Sequence, residues 1–235
     1  RRQTDRVICI SRAVADELRL WWSAHTEEGT LPEMSFFHLG ADMEAHAVAS
    51  TNLVNTNVAQ VNASNAVLMV GTVEPRKGHA IALDAFEILW AQGSDVSLII
   101  AGKKGWDVDE LVERIKTHPH LGHHLFWFES PTDADLQHLY QHSKGLLMAS
   151  QAEGFGLPLI EAAQHSLPIL ARDIAVFHEI GRTHVSYFTA QDPQPLSAQL
   201  QAWLTDIDTG VAPNSHAIQR LSWQTSAQQL LEEIL

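Results

Sequence analysis

Residues 66–101 read AVLMVGTVEPRKGHAIALDAFEILWAQGSDVSLIIA, and their hydrophobic pattern identifies the fold class. The stretch begins with an apolar run that a glycine ends, residues 66–71, and it closes with a second apolar run, residues 96–101. Between the two runs, residues 79–91 have the spacing of a helix, with one apolar face formed by Ala80, Leu83, Phe86 and Leu89. The pattern predicts a strand, a helix and a second, parallel strand, because strands that are apolar throughout are typical of parallel sheets with both faces covered.

The same alternation continues along the chain to about residue 204. Further strands are predicted at residues 125–128, 145–148, 169–171 and 186–188, and further helices at residues 108–116, 134–142, 158–164, 175–180 and 195–204. Helical connections between parallel strands are right-handed, so the helices cover both faces of one sheet. The predicted fold class is therefore α/β, with a doubly wound parallel Rossmann-like sheet.

The segments on either side of this alternation are predicted to lie outside the sheet. Before it, two short strands are predicted at residues 6–10 and 34–39. A helix that Ser11 can cap is predicted between them, at residues 12–22. Residues 44–65 contain neither Gly nor Pro and are rich in Ala, Asn, Val and Thr; they are interpreted as a linker or loop with at most a weak helix. The last residues, 222–235, predict an amphipathic helix with an apolar side made of Trp223, Ala227, Leu230, Leu231 and Ile234.

The composition excludes several classes of protein. The 235 residues include 15 Lys and Arg against 28 Asp and Glu, and the net charge of −13 disfavours nucleic-acid binding over the whole surface. No apolar run approaches the roughly 20 residues of a membrane span, and no secretory signal is apparent. The single cysteine, Cys9, cannot form an internal disulfide, which favours a reducing compartment. We expect a cytoplasmic protein without a nucleic-acid partner, and a peripheral contact with the inner face of a membrane stays open.

Two of the predicted strand-to-helix turns carry pairs of cations. Ligands of an open parallel sheet bind at the carboxyl ends of the strands, where helix N-termini present unpaired N–H groups. The turn GTVEPRKG at residues 71–78 contains Arg76 and Lys77, and the turn AGKKGW at residues 101–106 contains two adjacent lysines. These cations suit a bound anion, although either turn could instead be exposed and solvated.

A third turn, EGFGLPLIE at residues 153–161, has the composition of a phosphate-binding helix start. Its two glycines permit close approach of the backbone to a ligand, and its proline suits the first turn of a helix. The amides that would face a phosphate, aided by the helix dipole, are those of Gly154, Phe155, Gly156 and Leu157. Glu153 and Glu161 flank these amides, and carboxylates suit sugar and ribose hydroxyls. The alternative is that Glu153 caps a neighbouring group and Glu161 complements the helix dipole.

Other chemistries have weaker support in the sequence. His118, His120, His123 and His124 cluster before a predicted strand, but neither cysteines nor a helical i, i+4 spacing accompany them. A solvated loop is favoured there, and no metal site is predicted. The motifs of nicotinamide binding, of a phosphate loop and of a hydrolase nucleophile elbow are also lacking.

The three turns together resemble motifs of the retaining glycosyltransferases of GT-B family 4. Residues 153–161 are similar to the family's Glu-x7-Glu element, and residues 71–78 resemble its diphosphate-binding turn. Gly-Lys-Lys-Gly-Trp at residues 102–106 resembles a turn of the mannosyltransferase-like branch. The order and the spacing of all three agree with the family.

The resemblance implies a division of the chain into four parts. Residues 1–42 would be the end of an N-terminal domain with the interdomain crossing, and residues 43–65 a linker. Residues 66–220 would form a nucleotide-sugar-binding Rossmann-like domain, and residues 221–235 a helix that returns toward the N-terminal domain. The chain is short for the family, in which an N-terminal domain binds the acceptor. We therefore expect this chain to bind a donor and to transfer little or nothing by itself.

The resemblance also implies roles for individual residues. Arg76 and Lys77 would bind the donor diphosphate and stabilise its charge as it leaves, and Lys103 is a weaker candidate for the same region. Glu153 would hydrogen-bond hydroxyls of the transferred sugar, and Glu161 would bind those of the ribose. Of these residues, Glu153, Arg76 and Lys77 are the candidate catalytic ones. The resemblance implies neither a cofactor nor a metal, and the leaving phosphate rather than a protein nucleophile would act as the base.

The expected substrates follow from the resemblance alone. The first candidate donor is GDP-mannose, and the acceptor would be a saccharide or lipid-linked saccharide in polysaccharide or lipopolysaccharide synthesis. One departure concerns the nucleobase: Glu129 stands where similar proteins usually have a glycine, in a turn whose backbone lies near the base. The alternative function is a non-catalytic nucleotide-binding or interaction module with the same fold.

Overall fold

The structure, a computed structural model, describes residues 4–25, 32–41 and 54–235. Its elements follow in the order β1 (Arg6–Cys9), α1 (Arg12–Ala24), β2 (Glu33–Phe36), α2 (Thr56–Ala59), β3 (Ala66–Val70), α3 (His79–Ala91), β4 (Ser97–Ala101), α4 (Asp109–Lys116), β5 (Leu125–Phe128), α5 (Asp133–His142), β6 (Gly145–Met148), α6 (Leu157–Gln164), β7 (Ile169–Arg172), α7 (Ala175–Gly181), β8 (Ser186–Phe188), α8 (Pro193–Asp208) and α9 (Trp223–Ile234). Each strand and helix predicted for the alternating region is present. Helix α8 extends beyond both predicted ends; at its start, Pro193 fits the first turn, where its missing N–H has no helical partner to lose.

Six parallel strands form the main sheet, in the order β5-β4-β3-β6-β7-β8. Strand β3 pairs on one side with β4, where Ala66 lies opposite Ser97, and on the other side with β6. The chain first adds strands on one side of β3 and then returns to its other side. In such sheets ligands bind in the crevice at the carboxyl ends of the strands where the order reverses, here β3 and β6. The predicted doubly wound parallel α/β fold is confirmed.

Apolar side chains cover both faces of this sheet. Val67 and Leu68 are neighbours on β3 and point to opposite faces, and both are fully buried. On one face, helices α3 and α8 contribute Phe86 and Trp203 to the core. On the other face, α5, α6 and α7 form a second cluster that includes Phe177. Covered faces on both sides explain why the strands lack alternating polar residues.

Residues 4–25 and 32–41 form a small unit beside the sheet. Strands β1 and β2 pair in parallel, helix α1 packs against α7, and α9 packs against β2. Ser11 caps α1 as predicted, since its side chain accepts a hydrogen bond from the N–H of Val14. At the other end of the unit, a Cβ added to Gly40 would lie 2.4 Å from the backbone of Trp223. The first and last parts of the described chain therefore meet in this unit.

Helix α9 is joined to the small unit by a partly buried hydrogen bond. Ser226 is buried, and its hydroxyl donates to the carbonyl of His38 at 2.7 Å. On the predicted apolar side, Trp223, Leu231 and Ile234 are about half exposed. The amphipathic pattern thus predicted the helix correctly, but the structure does not bury the apolar side within the described residues.

The second part of the predicted linker at residues 43–65 contains one short helix. Residues 42–53 lie outside the described residues, but residues 54–65 include α2 and the buried Val58. The N–H of Asn55 donates to Asp135 on α5 at 2.7 Å. Small apolar residues let this segment pack against the domain, which its composition did not indicate. Across the described residues, no helix combines the length and the apolar character that crossing a bilayer requires.

Candidate active site

The turns that follow β3 and β6 contact one another through their backbones. The N–H of Gln151 donates to the carbonyl of Arg76 at 2.7 Å. Gly78 has φ +73°, and a Cβ added there would lie 2.4 Å from the carbonyl oxygen of Ala149. Only glycine combines that left-handed conformation with so close an approach. The two turns therefore lie side by side at the reversal of strand order.

Glu153 is the centre of an ionic cluster that joins these turns. Its Oε1 lies 2.5 Å from Nζ of Lys77, and its Oε2 lies 3.2 Å from Nη1 of Arg76. The hydroxyl of Ser150 donates to Oε1 at 2.7 Å. Glu74 pairs with Nε of Arg76 at 3.3 Å. Because the side chain of Glu153 is only 8% exposed, its partners fix the position of the carboxylate.

The formal charges of this cluster balance. Arg76 and Lys77 contribute two positive charges, and Glu74 and Glu153 contribute two negative ones. Because the cluster has no net charge, binding of an anion here depends on hydrogen bonds from N–H groups that point toward it. Glu153 has lone pairs beyond those used by its present partners, so it can also accept hydroxyl groups. The cluster suits a ligand that carries phosphates and hydroxyls together.

Helix α6 begins beside this cluster with a glycine in the left-handed conformation. That glycine is Gly156, with φ +94° and ψ 49°, and Leu157 is the first helical residue. The first N–H groups of a helix have no partner within it and can face an anion. Phe155 is 4% exposed, so only its backbone is available to a ligand. The carbonyl of Gly154 accepts a hydrogen bond from the Ser11 hydroxyl at 2.8 Å, which holds the loop in place.

Glu161 lies further along α6 and is oriented by a buried tyrosine. The hydroxyl of Tyr140 on α5 donates to Oε2 of Glu161 at 2.6 Å. Burial raises the pKa of Glu161, the hydrogen bond from Tyr140 opposes this, and nearby Asp133 adds to the increase. Within the described part of the chain, no hydrogen bond joins Glu161 to Glu153. The structure thus brings Arg76, Lys77 and Glu153 together and leaves Glu161 as a separate carboxylate.

The turn after β4 is joined edge to edge with the turn after β3. The N–H of Val73 donates to the carbonyl of Lys103 at 2.9 Å, and the N–H of Gly105 donates to the carbonyl of Val73 at 2.9 Å. A Cβ added to Gly102 would lie 2.0 Å from the carbonyl oxygen of Gly71, so no side chain fits between the turns. The side chain of Lys103 is exposed beside them, and its role in phosphate binding stays a prediction.

Residues 56–220 match the model of a family described as Glycosyl transferases group 1. The chain belongs to this family. A serotype-specific mannosyltransferase of Escherichia coli, WbdA, is 43% identical over 236 residues, which cover 98% of this chain and 29% of WbdA. The O-antigen chain mannosyltransferase B of Escherichia coli is 31% identical over 114 residues, 48% of this chain and 30% of that protein. The chain therefore spans less than a third of these relatives.

Solved structures share the fold of this group 1 glycosyl transferase chain. Anabaena Alr3699/HepE, in a complex with UDP and glucose, superposes with a TM-score of 0.73 at 20% identity, over 98% of this chain and 63% of that one. Sucrose-phosphate synthase of Thermosynechococcus elongatus superposes with a TM-score of 0.70 at 18% identity, over 98% and 57% of the two chains. At such identities the likeness concerns the fold alone.

One supporting residue that the sequence analysis missed is Arg172, at the end of β7. It is 4% exposed, its Nε donates to the carbonyl of Ala149 at 3.0 Å, and its Nη1 donates to the carbonyl of Ala190 at 2.9 Å. Its guanidinium lies over the ring of Phe188. Burial lowers the pKa of Arg172. The sequence signal was an arginine at the end of an apolar strand. Arg172 holds the turn after β6 in place through the carbonyl of Ala149.

A second missed residue is Glu179 on α7, which caps a helix far away in the sequence. Its two carboxylate oxygens accept the N–H groups of Arg12 and Ala13 at 2.9 and 2.7 Å, and Oε1 also lies 2.6 Å from Nε2 of His38. Burial raises the pKa of Glu179, but these hydrogen bonds outweigh it, and the pKa is lowered. Together with Ser11, Glu179 ties the small N-terminal unit to the site. No local sequence signal indicates such a cap.

The histidine cluster differs from its prediction. His118, His120 and His124 pack around Trp90, and the ring centroids of His120 and Trp90 are 4.9 Å apart. The segment is a loop, as predicted, but it is not fully solvated, because these three rings lie edge-on or tilted against the indole and are half-buried, whereas His123 is exposed. Among the described residues, no group of three or more His, Cys, Asp or Glu has the geometry to hold a metal ion.

A cavity of about 430 Å³ opens beside this cluster, lined by Trp90, Arg114 and His118. Trp90 belongs to the last turn of α3, and its indole N–H donates to the carbonyl of Val96, just before β4 begins. The cavity therefore lies at the amino ends of the strands. The cluster around Glu153 lies at their carboxyl ends, on the opposite edge of the sheet.

Proposed function

We propose that this chain is the donor-binding part of a retaining mannosyltransferase that takes mannose from GDP-mannose. The acceptor is a saccharide or lipid-linked saccharide of a bacterial surface polysaccharide. The observation that carries the proposal is the meeting of Lys77 and Arg76 on Glu153, beside the start of α6. The names of the relatives, a serotype-specific mannosyltransferase and an O-antigen chain mannosyltransferase, favour mannose and this kind of acceptor.

Each polar group of the site has a role in this proposal. Lys77, Arg76 and the amides at the start of α6 bind the diphosphate of the donor. Negative charge grows on the diphosphate as the sugar–oxygen bond breaks, so these donors stabilise the transition state more than the bound substrate. Each charge-assisted hydrogen bond contributes about 1.5–3 kcal/mol. Glu161 accepts the ribose hydroxyls.

Glu153 acts by positioning and hydroxyl binding rather than as a nucleophile. Its oxygens already accept hydrogen bonds from Lys77, Arg76 and Ser150, which occupy some of its lone pairs and reduce its nucleophilicity. The leaving phosphate is then the base that takes the proton of the attacking acceptor hydroxyl. No metal or cofactor is part of this scheme.

The acceptor is bound mainly by a part of the longer protein outside this chain. The chain covers only 29% of WbdA, and the family resemblance implies an N-terminal acceptor domain. By itself, the chain binds a nucleotide-sugar and transfers little or nothing. The location that fits this substrate is the cytoplasm, with peripheral contact at the inner face of the membrane.

Thermal unfolding with a panel of nucleoside diphosphates tests the proposal. At a concentration of 100 times its dissociation constant, a ligand stabilises the folded state by about 2.7 kcal/mol. We expect GDP to raise the unfolding midpoint more than UDP, dTDP or ADP do. If all four fail at millimolar concentration, the non-catalytic interaction module becomes the better account. If UDP exceeds GDP, the GDP-mannose part of the proposal is wrong.

A further inference from the structure

One motif residue has no role in the proposed donor chemistry. Trp106 ends the Gly-Lys-Lys-Gly-Trp turn after β4, and its side chain is 61% exposed. The other large apolar side chains that are exposed in the described residues lie on α1, on α9 and at its end, or in loops at the amino ends of the strands. Among these exposed side chains of the described residues, that of Trp106 lies at the carboxyl edge of the sheet. Such exposure at a ligand-binding edge points to a contact with a ligand.

The position of Trp106 is fixed although its ring is exposed. Its indole N–H donates to Oε2 of Glu74 at 3.0 Å. The turn that carries it is held to Val73 by the backbone hydrogen bonds described above, and a Cβ added to Gly105 would lie 2.7 Å from the carbonyl oxygen of Val73. A ring tethered at its polar edge, on a turn that cannot shift, loses little conformational freedom when a ligand stacks on its face.

The hydrogen bond from Trp106 to Glu74 also connects Trp106 with the proposed donor site. Glu74 accepts hydrogen bonds from Trp106 and from Arg76, and Arg76 in turn donates to Glu153 at 3.2 Å. This series of contacts leads to the groups proposed for the diphosphate and the transferred sugar. Glu161, proposed for the ribose, belongs to a different contact with Tyr140. Through Glu74 and Arg76, the ring is therefore linked to the groups proposed for the diphosphate and the transferred sugar.

We infer that the exposed face of Trp106, with Glu74 beside it, is a subsite for a pyranose ring of the acceptor saccharide. A pyranose presents C–H groups on one face and hydroxyls at its rim. A flat indole suits that face, and the carboxylate of Glu74, which is 13% exposed, has lone pairs left for a rim hydroxyl. This inference rests on the proposed function, and it gives the donor-binding domain a direct part in holding the acceptor.

Nuclear magnetic resonance of the 235-residue chain with ¹⁵N-labelled indoles tests the subsite. The probe is an α-linked mannobiose, titrated to tens of millimolar in the presence of saturating GDP. We expect a saturable shift of the Trp106 indole resonance, which is assigned from its loss in Trp106→Phe. Trp106→Ala should weaken mannobiose binding at least about tenfold, equivalent to about 1.4 kcal/mol. Trp106→Phe, which keeps a ring, should weaken it by less.

The matched control is Trp21→Ala, because Trp21 on α1 is similarly exposed, at 55%, but lies away from the strand ends. It should leave mannobiose affinity unchanged. The inference is overturned if the Trp106 resonance does not respond to mannobiose, or if Trp106→Ala binds it as well as the wild type. It is also overturned if Trp106→Ala weakens GDP or GDP-mannose instead, which would place the ring on the donor.

The same experiment separates this inference from the proposed function. Calorimetric titration with GDP alone reports on the donor site. Binding of GDP without a response of Trp106 to mannobiose contradicts the subsite only. A wild-type chain that does not bind GDP contradicts the proposed function itself.

Discussion

Nζ of Lys77 lies 2.5 Å from Oε1 of Glu153, and the two residues come from turns after different strands. The contact spans 76 positions of sequence and joins the two turns on either side of the strand-order reversal. It holds a cation at the place where parallel sheets of this order bind ligands. The donor site proposed for this group 1 glycosyl transferase chain is built on this contact.

Replacement of Lys77 separates phosphate binding from nucleoside binding. We expect Lys77→Ala to weaken GDP binding by about tenfold to a hundredfold, because one charge-assisted hydrogen bond to the diphosphate is lost. The affinity for guanosine, which carries no phosphate, should stay nearly unchanged. Calorimetric titration of both ligands measures the difference.

Lys144 provides the matched control for this change. It pairs with Asp208 at 2.6 Å and directly precedes β6, at the amino end of the sheet. Lys144→Ala should leave the affinities for GDP and guanosine as they are in the wild type. An equal loss of GDP and guanosine binding in Lys77→Ala would show that Lys77 does not hold the diphosphate.

The hydrogen bond from Tyr140 predicts a pH effect on ribonucleotide binding. Tyr140→Phe removes a donor to Glu161 and raises the pKa of that carboxyl further, since the hydrogen bond opposes the effect of burial. Protonation of Glu161 takes away an acceptor for ribose hydroxyls, so GDP affinity should fall by roughly threefold to tenfold at mildly acidic pH and less at alkaline pH. The measurement is the GDP dissociation constant across pH.

The ligand 2′,3′-dideoxy-GDP is the control, because it lacks the hydroxyls that Glu161 is proposed to accept. Its affinity should be the same in the wild type and in Tyr140→Phe at every pH. If the pH profile of GDP affinity is the same in Tyr140→Phe and the wild type, Glu161 does not bind the ribose and only complements the helix dipole.

His79, the first residue of α3, makes the stability of the chain depend on pH. It is 2% exposed, and neither ring nitrogen has a hydrogen-bond partner among the described residues. Burial, with a smaller effect of Lys77, lowers the pKa of His79 from 6.5 to about 4. Between those pH values the unfolded chain binds a proton that the folded chain does not. The free energy of unfolding therefore falls as pH is lowered through this window, by about 3 kcal/mol in total.

His79→Leu removes this contribution. Urea unfolding at several pH values should show a shallower loss of stability on acidification for the variant than for the wild type. Other groups titrate in both proteins, so the difference between the two curves is the quantity to compare. Parallel curves from pH 7 to pH 4 would contradict the buried neutral histidine.

Removal of the buried Arg172 should affect stability and donor binding together. Arg172→Leu leaves the carbonyls of Ala149 and Ala190 without this donor, and we expect a loss of about 2–4 kcal/mol in the free energy of unfolding. Displacement of Ala149 also moves the turn that carries Glu153, so GDP affinity should fall. Chemical denaturation and calorimetry measure the two effects.

Arg114 is the control for Arg172, because it pairs with Asp84 and Glu87 on the partly exposed surface of α3. Arg114→Leu should cost less than about 1 kcal/mol and leave GDP binding unchanged. Similar losses in the two variants would show that burial of Arg172 has no special effect.

The main sheet could be predicted from the sequence because its strands are apolar throughout and its helices keep one period. The apolar runs that form β3 and β4 contribute side chains to both faces of the sheet, and such runs can be recognised from the local sequence alone. The sequence also placed Arg76, Lys77 and Glu153 at the carboxyl ends of their strands, but their direct contact depends on the pairing of β3 with β6, which the sequence did not indicate. Composition gave no indication that Val58, in the predicted linker, packs into the core.

The remaining features depend on contacts that no local pattern encodes. Glu179 caps α1 across 167 positions, and the Ser11 hydroxyl reaches the carbonyl of Gly154 across 143. The histidines before β5 read as polar, but Trp90 supplies an apolar surface for them. Pairing of Tyr140 with Glu161 likewise requires that α5 and α6 share one face of the sheet.

A crystal structure of the chain with GDP tests the central claim most directly. The account predicts the β-phosphate within hydrogen-bond distance of Nζ of Lys77 and of the amides at residues 156–157, with the ribose hydroxyls on Glu161. Nucleotide bound in the cavity beside Trp90, at the opposite edge of the sheet, would contradict it. So would a diphosphate that contacts neither Lys77 nor the start of α6.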